Sequence, residues 1–245
     1  MSNSYSDFSL VYDKLISDVD YSALSENILE SCKKYAHTPR LVLDAACGTG
    51  NFTKELEKHG LDVIGVDSSP EMLSVAQSKL SGNCILLCQD LRELDLYGTV
   101  DTVFCTLDSF NHIIDYEEFK KAVKRTSLFL EPGGLMIFDV NTVYKHKEVL
   151  GDNIFTSEEE NIFMVWENNL CENNIVNINL DFFIKDSDGK YERLHENFDE
   201  RAYTEEEISA VLAEAGLKIL EIKDFYTDKK AEKTSEKLIY ITKKE

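Results

Sequence analysis

The stretch VLDAACGTGNFTKELEKHG, residues 42–60, most narrowly limits what this chain can fold into. An apolar run ends in Asp44, bends through Ala46-Cys47-Gly48-Thr49-Gly50, and continues with helical spacing. Such a strand–turn–helix opens a doubly wound α/β sheet, in which ligands bind beyond the carboxyl ends of the strands. Gly48 and Gly50 let the backbone approach a ligand with no Cβ in the way. No basic residue lies in the bend, which suits it poorly to a phosphate. Where a dinucleotide fingerprint carries its third glycine for helix–strand packing, this chain has Thr53.

The surrounding pattern agrees. Apolar runs at 41–45, 62–67, 84–88, 100–107 and 134–140 read as strands. Helical stripes lie between them: Met72, Leu73 and Ala76 within Pro70–Leu80, and Phe119, Ala122, Val123 and Leu130 within Asp115–Leu130, stopped by the EPGG at 131–134. Alternating β and α elements imply a parallel sheet with helices on both faces. Tyr21, Leu24, Ile28 and Cys32 form a further helical stripe ahead of the first strand. Residues 150–203 change character, with strand-like alternation in NIFMVWENNL, NIVNINLDFFIKD and KYERLHENFDERAY, punctuated by ENN and SDG turns. These predict an antiparallel sheet inserted over the carboxyl edge of the main one. TEEEISAVLAEAG follows as a helix capped by Thr204 and stopped by Gly216, and two strands, near 217–226 and 237–243, come last. The expected architecture is one α/β domain over residues 1–245: an arm and helix (1–40), a cofactor-binding half (41–143), an antiparallel β lid (144–203), and a final helix with two strands (204–245).

Charge narrows the partners. Lys and Arg total 26 against 46 Asp and Glu, a formal −20, and a surface this acidic repels a phosphate backbone, so nucleic acid is not an expected partner. Six cysteines include no C-x-x-C and mostly sit in apolar runs, as small buried hydrophobes of a reducing compartment do. No apolar run approaches the roughly 18–20 residues that span a bilayer. The opening MSNSYSDFSL has neither a basic nor an apolar leader region, so a cytoplasmic protein with no membrane partner is expected.

Three acids follow three successive strands: Asp44, Asp67 in VIGVDSSPEML, and Asp90 in LLCQDLREL. Asp67 can accept from both hydroxyls of a ribose and Asp90 from an adenine amine, while Asp44 suits a cationic amino-acid end. A ligand with ribose, adenine and ammonium but no phosphate is S-adenosylmethionine. At these residues the chain resembles the class I S-adenosylmethionine-dependent methyltransferases, with Ala46 in place of the usual first glycine of their first motif. The resemblance covers about residues 40–140 and implies a mostly parallel, Rossmann-like sheet of seven strands, the last one antiparallel. It also implies a cofactor site of Tyr12, Tyr21, Asp44, Ala46, Gly48, Gly50, Asp67, Ser68, Met72, Asp90, Leu91 and Leu107, with S-adenosylhomocysteine as product.

Methyl transfer from a sulfonium needs alignment, exclusion of water and a nucleophile with a free lone pair. CTLDSFNHII at 105–114 offers Asp108, Asn111 and His112 at the carboxyl edge, and FDVNTVY offers Asp139 and Asn141. The first of these stretches resembles its counterpart in glycine N-methyltransferases and antibiotic-sugar N-methyltransferases, which implies a place for His112 near cofactor or acceptor; capping of the following helix is the alternative. In the glycine enzymes the position of Asn141 holds a carboxylate-binding arginine, so glycine itself is not expected. Tyr5 and Tyr12 resemble tyrosines of the sugar enzymes that fold over the cofactor and reach the acceptor amine. Arg201 could contact an anion or form a structural ion pair. Asp108, Asp139 and Asn141 could alternatively hold Mg²⁺, although their spacing fits the catechol-type enzymes badly and no metal is expected. The expected activity is methyl transfer to a small molecule, nitrogen favoured; the alternatives are an O-methyltransferase and a cofactor-binding protein without turnover.

Overall fold

The computed structural model describes residue 13 and residues 19–82, 84–159, 161–227 and 229–245. The first half alternates as its sequence pattern requires: α1 (Tyr21–Lys34), β1 (Leu41–Ala45), α2 (Asn51–Lys58), β2 (Asp62–Asp67), α3 (Pro70–Lys79), β3 (Ile85–Cys88), β4 (Val100–Cys105), α4 (Tyr116–Leu128) and β5 (Leu130–Asn141). Each helix start has a local cause. Asp20 accepts from Ala23 N–H, Ser69 from Met72 N–H ahead of Pro70, and Asp115 from Glu118 N–H, satisfying donors that the first turn leaves orphaned.

After β5 the chain builds β6 (Ile154–Glu159), β7 (Ile162–Leu170), β8 (Ile175–Lys185) and β9 (Tyr191–Arg201), then α5 (Glu205–Glu214), β10 (Leu217–Asp224) and β11 (Lys237–Lys244). The described strands form a seven-stranded sheet in the order β10-β11-β5-β4-β1-β2-β3 and a separate four-stranded sheet in the order β6-β7-β8-β9. In the large sheet β3 through β5 run parallel, while β11 pairs antiparallel with both β5 and β10. This is the Rossmann-like fold with an inserted antiparallel sheet that the sequence predicted. α5 carries the full capping box between Thr204 and Glu207, and Gly216 closes it at a φ of 69°.

Both faces of the large sheet are covered, so β1 is apolar without alternation. Val42 packs with Ile28, Phe52 and Leu56 of α1 and α2, whereas its neighbour Leu43 faces Phe119, Val123, Val211 and Leu212 of α4 and α5. Two strand boundaries and one additional strand stand out from expectation. β4 ends at Cys105, because Leu107 and Asp108 turn sharply with φ of 58° and 54°. β5 begins at Leu130 and passes through Pro132 and Gly133, absorbing them in a register shift opposite Val100 and Thr102. β6 was not anticipated: every residue of IFTSEE is exposed, so an edge strand with no buried face left no alternation to read.

Candidate active site

The turn after β1 is where sequence and geometry meet most tightly. Ala46, Gly48 and Gly50 all have positive φ, at 60°, 53° and 77°. A Cβ on Gly48 would meet nothing within 4 Å, which leaves its backbone open to a ligand. A Cβ on Gly50 would lie 2.9 Å from Ala76 Cβ, so this glycine brings α2 against α3. Asp67, at the end of β2, accepts from Gly48 N–H at 2.8 Å through one oxygen and from Ser69 N–H at 2.9 Å through the other. Each oxygen keeps a lone pair for the cavity, and the carboxylate is oriented before any ligand arrives. Burial pushes its pKa up, with the backbone donors working against that rise.

Asp44 is 1% exposed, and Thr53 Oγ1 donates to its Oδ2. Thr53 therefore replaces the third glycine with a donor to the strand-end acid. Burial first, with Asp67 adding repulsion, pushes the Asp44 carboxyl up to about 7. A carboxyl in that state lacks a cation.

These residues open onto a cavity of 760 Å³ at the carboxyl ends of the central strands. Tyr21, Asp44, Ala46, Gly48, Asp67, Ser68, Met72, Asp90, Leu91 and Leu107, all expected from the sequence, line it together. Burial pushes the Tyr21 phenol up to about 12. Gly50 sits just behind the wall as the left-handed N-cap of α2. Tyr5 and Tyr12 lie outside the described residues; Asp13, which follows Tyr12 in sequence, accepts from Thr49 Oγ1 at 2.6 Å and Asn51 Nδ2 at 2.9 Å, and pairs with Lys79.

Asp90, on the same wall, is engaged by Arg92. Its Oδ1 accepts from both the Arg92 backbone N–H and Arg92 Nε at 2.8 Å, and its Oδ2 from Arg92 Nε at 3.0 Å and from Nη2. Those hydrogen bonds hold its carboxyl below the usual range and fill its acceptor positions, so an adenine amine would have to displace Arg92.

The acceptor wall is also rearranged. Asp108 and His112 line the cavity, His112 half-exposed and 5.2 Å from the Phe198 ring by centroids. Asn111, Asp139, Asn141 and Arg201, expected to touch the acceptor, are spent inside the protein. Asp139 accepts from the backbone N–H of Leu107 at 2.7 Å and Asp108 at 2.8 Å, fixing the left-handed turn after β4. Asn111 donates to the carbonyls of Asn141 and Arg201 and accepts from Asn141 N–H at 3.0 Å. Asn141 Nδ2 donates to Asp108 at 2.6 Å and to Glu200 at 3.0 Å, while its Oδ1 accepts from Lys145 at 2.9 Å. Arg201 pairs with Glu207 at 2.8 Å and lies over the Tyr203 ring, which is the structural ion pair.

Two further residues of the cavity wall came from strands whose patterns gave no hint of them. Lys237, the first residue of β11, lies 2.8 Å from Asp108 and 3.4 Å from Asp139. Burial disfavours its charge, but Asp108 and Asp139 outweigh burial and hold the lysine well above its usual range. Burial likewise raises Asp108, and Lys237 and Lys145 overcome it, so that carboxyl stays ionised. Lys237 thus fills the space where a Mg²⁺ between the two aspartates would sit. The second is Glu200 on β9, 6% exposed and on the cavity wall. The four-stranded sheet adds Met164, Trp166, Ile178, Leu180 and Phe198 to the same wall. Among the described residues no helix is long and apolar enough to cross a membrane.

Comparison with known proteins gives the fold a family context. The family described as "Methyltransferase domain" matches residues 42–134. A putative methyltransferase of Geobacillus sp. (strain WCH70) is 34% identical over 248 residues, covering 98% of this chain and all of its own. The crystal structure of an S-adenosylmethionine-dependent methyltransferase from Clostridium acetobutylicum is 40% identical, with a TM-score of 0.89 over 99% of both chains. The sugar N-methyltransferase KedS8 from Streptoalloteichus shares the fold at 22% identity, with a TM-score of 0.79 over 96% of this chain and 92% of its own.

Proposed function

We propose that this chain, which belongs to the S-adenosylmethionine-dependent methyltransferases, methylates the nitrogen of a small cationic amine. The observation that carries the reading is the charge of the cavity wall. Asp44, Asp67, Asp90, Asp108, Asp115, Glu118, Glu196 and Glu200 line it, against Arg92 and Lys237. Both of those cations are already paired, with Asp90 and Asp108. Such a wall attracts ammonium and repels carboxylate or phosphate acceptors.

The residues present fit the cofactor. Asp67 is held by two backbone donors with lone pairs to spare for ribose hydroxyls, the Gly48 backbone is bare, and the buried Asp44 carboxyl lacks the cation that a methionyl ammonium would provide. Bound S-adenosylmethionine supplies a sulfonium-activated methyl carbon that an acceptor lone pair attacks in line, leaving S-adenosylhomocysteine. The chain's own task is to hold the acceptor and take its proton, since an ammonium has no lone pair. His112, half-exposed beside Phe198, is our candidate for the proton acceptor. The apolar face of Met164, Trp166, Ile178, Leu180 and Phe198 suits a lid that excludes water. Fold likeness to a sugar N-methyltransferase is consistent with a small-molecule acceptor.

A panel of amines and matched alcohols, assayed with labelled cofactor, tests the reading. Methylation of amines, with His112→Ala lowering kcat roughly 100-fold, is the expected result. Transfer only to hydroxyl or thiol acceptors would overturn it.

A further inference from the structure

Glu200 differs from the other carboxylates of the cavity. Its side chain is 7% exposed, and among the described residues no lysine or arginine pairs with it at ion-pair distance; Lys145 acts on it only from further away. Its Oε2 accepts from Asn141 Nδ2 at 3.0 Å, and Asn141 is itself locked by Asp108, Lys145 and Asn111. Among the described residues no hydrogen bond reaches its Oε1; His112 Nε2 is 3.9 Å away. On the far side His146 Nε2 lies 3.7 Å from Oε2. His146 is fully buried; its Nδ1 donates to the Asn174 carbonyl at 2.9 Å, and among the described residues its Nε2 has no hydrogen-bond partner. The two lysines nearby are committed, Lys145 to the Asn141 side chain and Lys237 to Asp108 and Asp139.

A buried carboxylate with one oxygen fixed and one facing a cavity is costly unless a cation completes it. Phe198, two residues before it on the same face of β9, supplies surface for an apolar body, with Trp166 further along the same cavity wall. We infer that Glu200 is the specificity-determining residue of the acceptor site: its free Oε1 binds the ammonium of the acceptor, with the hydrocarbon part lying against Phe198 and Trp166. This rests on the amine reading above and adds the residue that enforces it. The network Lys237–Asp108–Asn141–Glu200 then positions the carboxylate from the floor of the large sheet. Pairing with Glu200 selects an ammonium but also stabilises its proton, which His112, on the same side as Oε1, must remove before attack.

The test uses full-length protein loaded with S-adenosylhomocysteine and two probes of like shape, cyclohexylamine and cyclohexanol, titrated calorimetrically at pH 7. Wild type should bind the ammonium at least about tenfold more tightly than the alcohol. Glu200→Gln, which keeps an oxygen for Asn141 Nδ2, should erase that preference while leaving S-adenosylhomocysteine affinity unchanged. With an amine substrate it should raise KM and move the kcat profile to lower pH, because a bound amine without the carboxylate loses its proton more readily; a merely structural role would not shift that profile. A preference that survives in Glu200→Gln overturns this assignment and leaves the amine reading standing. No preference in wild type overturns the amine reading first and this one with it. If the glutamine variant does not bind S-adenosylhomocysteine, Glu200→Asp decides: a selective loss of ammonium affinity of about fivefold or more supports the assignment, and equal losses for both probes refute it.

Discussion

Replacing Asp44 with asparagine isolates the most unusual electrostatic feature of the cofactor loop. The carboxyl is buried, its pKa pushed from 3.8 up to about 7. The folded protein therefore holds a proton on Asp44 through a window, pH 3.8 to about 7, in which the unfolded chain has lost it. Stability due to this group falls as pH rises through that window and stays low above it. A shift of this size corresponds to about 4 kcal/mol of differential interaction, at about 1.4 kcal/mol per unit. Asp44→Asn removes that pH-dependent loss and can still accept from Thr53. Without cofactor, the variant should equal wild type in stability near pH 4 and exceed it by several kcal/mol at pH 8, on the order of the figure above. Cofactor affinity should move the other way. On the proposal that Asp44 faces the methionyl ammonium, its ionised form contributes about 1.5–3 kcal/mol, so the variant should bind S-adenosylhomocysteine roughly 10- to 100-fold more weakly at pH 7.5. Wild-type affinity should rise through pH 7 as Asp44 ionises, while the variant lacks that rise. Urea unfolding and calorimetric titration at pH 6, 7 and 8 measure both. An Asp44→Asn protein with wild-type affinity and the wild-type pH trend would refute the reasoning.

Asp67→Ala should weaken S-adenosylhomocysteine roughly 10- to 100-fold, whereas Asp90→Ala should cost about threefold or less, because Arg92 already fills that carboxylate; equal losses would put adenine on Asp90 after all. Gly50→Ala combines a left-handed φ of 77° with a Cβ 2.9 Å from Ala76 Cβ. It should lower unfolding free energy by about 2–4 kcal/mol, and a loss below about 1 kcal/mol in urea would contradict the packing role assigned to it. Turnover should survive excess chelator, since the Lys237 ammonium stands between Asp108 and Asp139; a loss restored by added Mg²⁺ would reverse that view.

What could be read from the sequence follows the range of the interactions. The cofactor loop is local: strand, acid, bend and helix occupy one continuous stretch, and Asp67 lies one β-α unit further on, so position and chemistry are written side by side. Thr53 was visible as a departure from the dinucleotide pattern, but its bond to Asp44 needed the turn's geometry. Arg92 stands two residues after Asp90, and its filling of that carboxylate was in principle legible. Glu200 and Lys237 were not. Each is one charged residue in a strand where charge ordinarily faces solvent, and each reaches the site through pairings tens of residues distant. Asn111 and Asn141 illustrate the converse: polar residues at a sheet edge look available, yet these two mainly tie the turn after β4 to β5 and β9.

The position of β11 bears on the order in which the molecule can be assembled. Asn141 of β5 pairs with Lys237 of β11, so the ribosome must make almost a hundred further residues before β5 gains its second neighbour. Until then the apolar run Leu135–Val140 is an open edge, exposed to pairing with other nascent chains. The hairpins of β6 to β9 pair with near neighbours and can form during this wait. The arriving strand also carries Lys237, the ammonium that pairs with both Asp108 and Asp139. Closing the sheet edge and neutralising the floor of the cavity are therefore a single late event, and a nascent chain stalled before β11 lacks both.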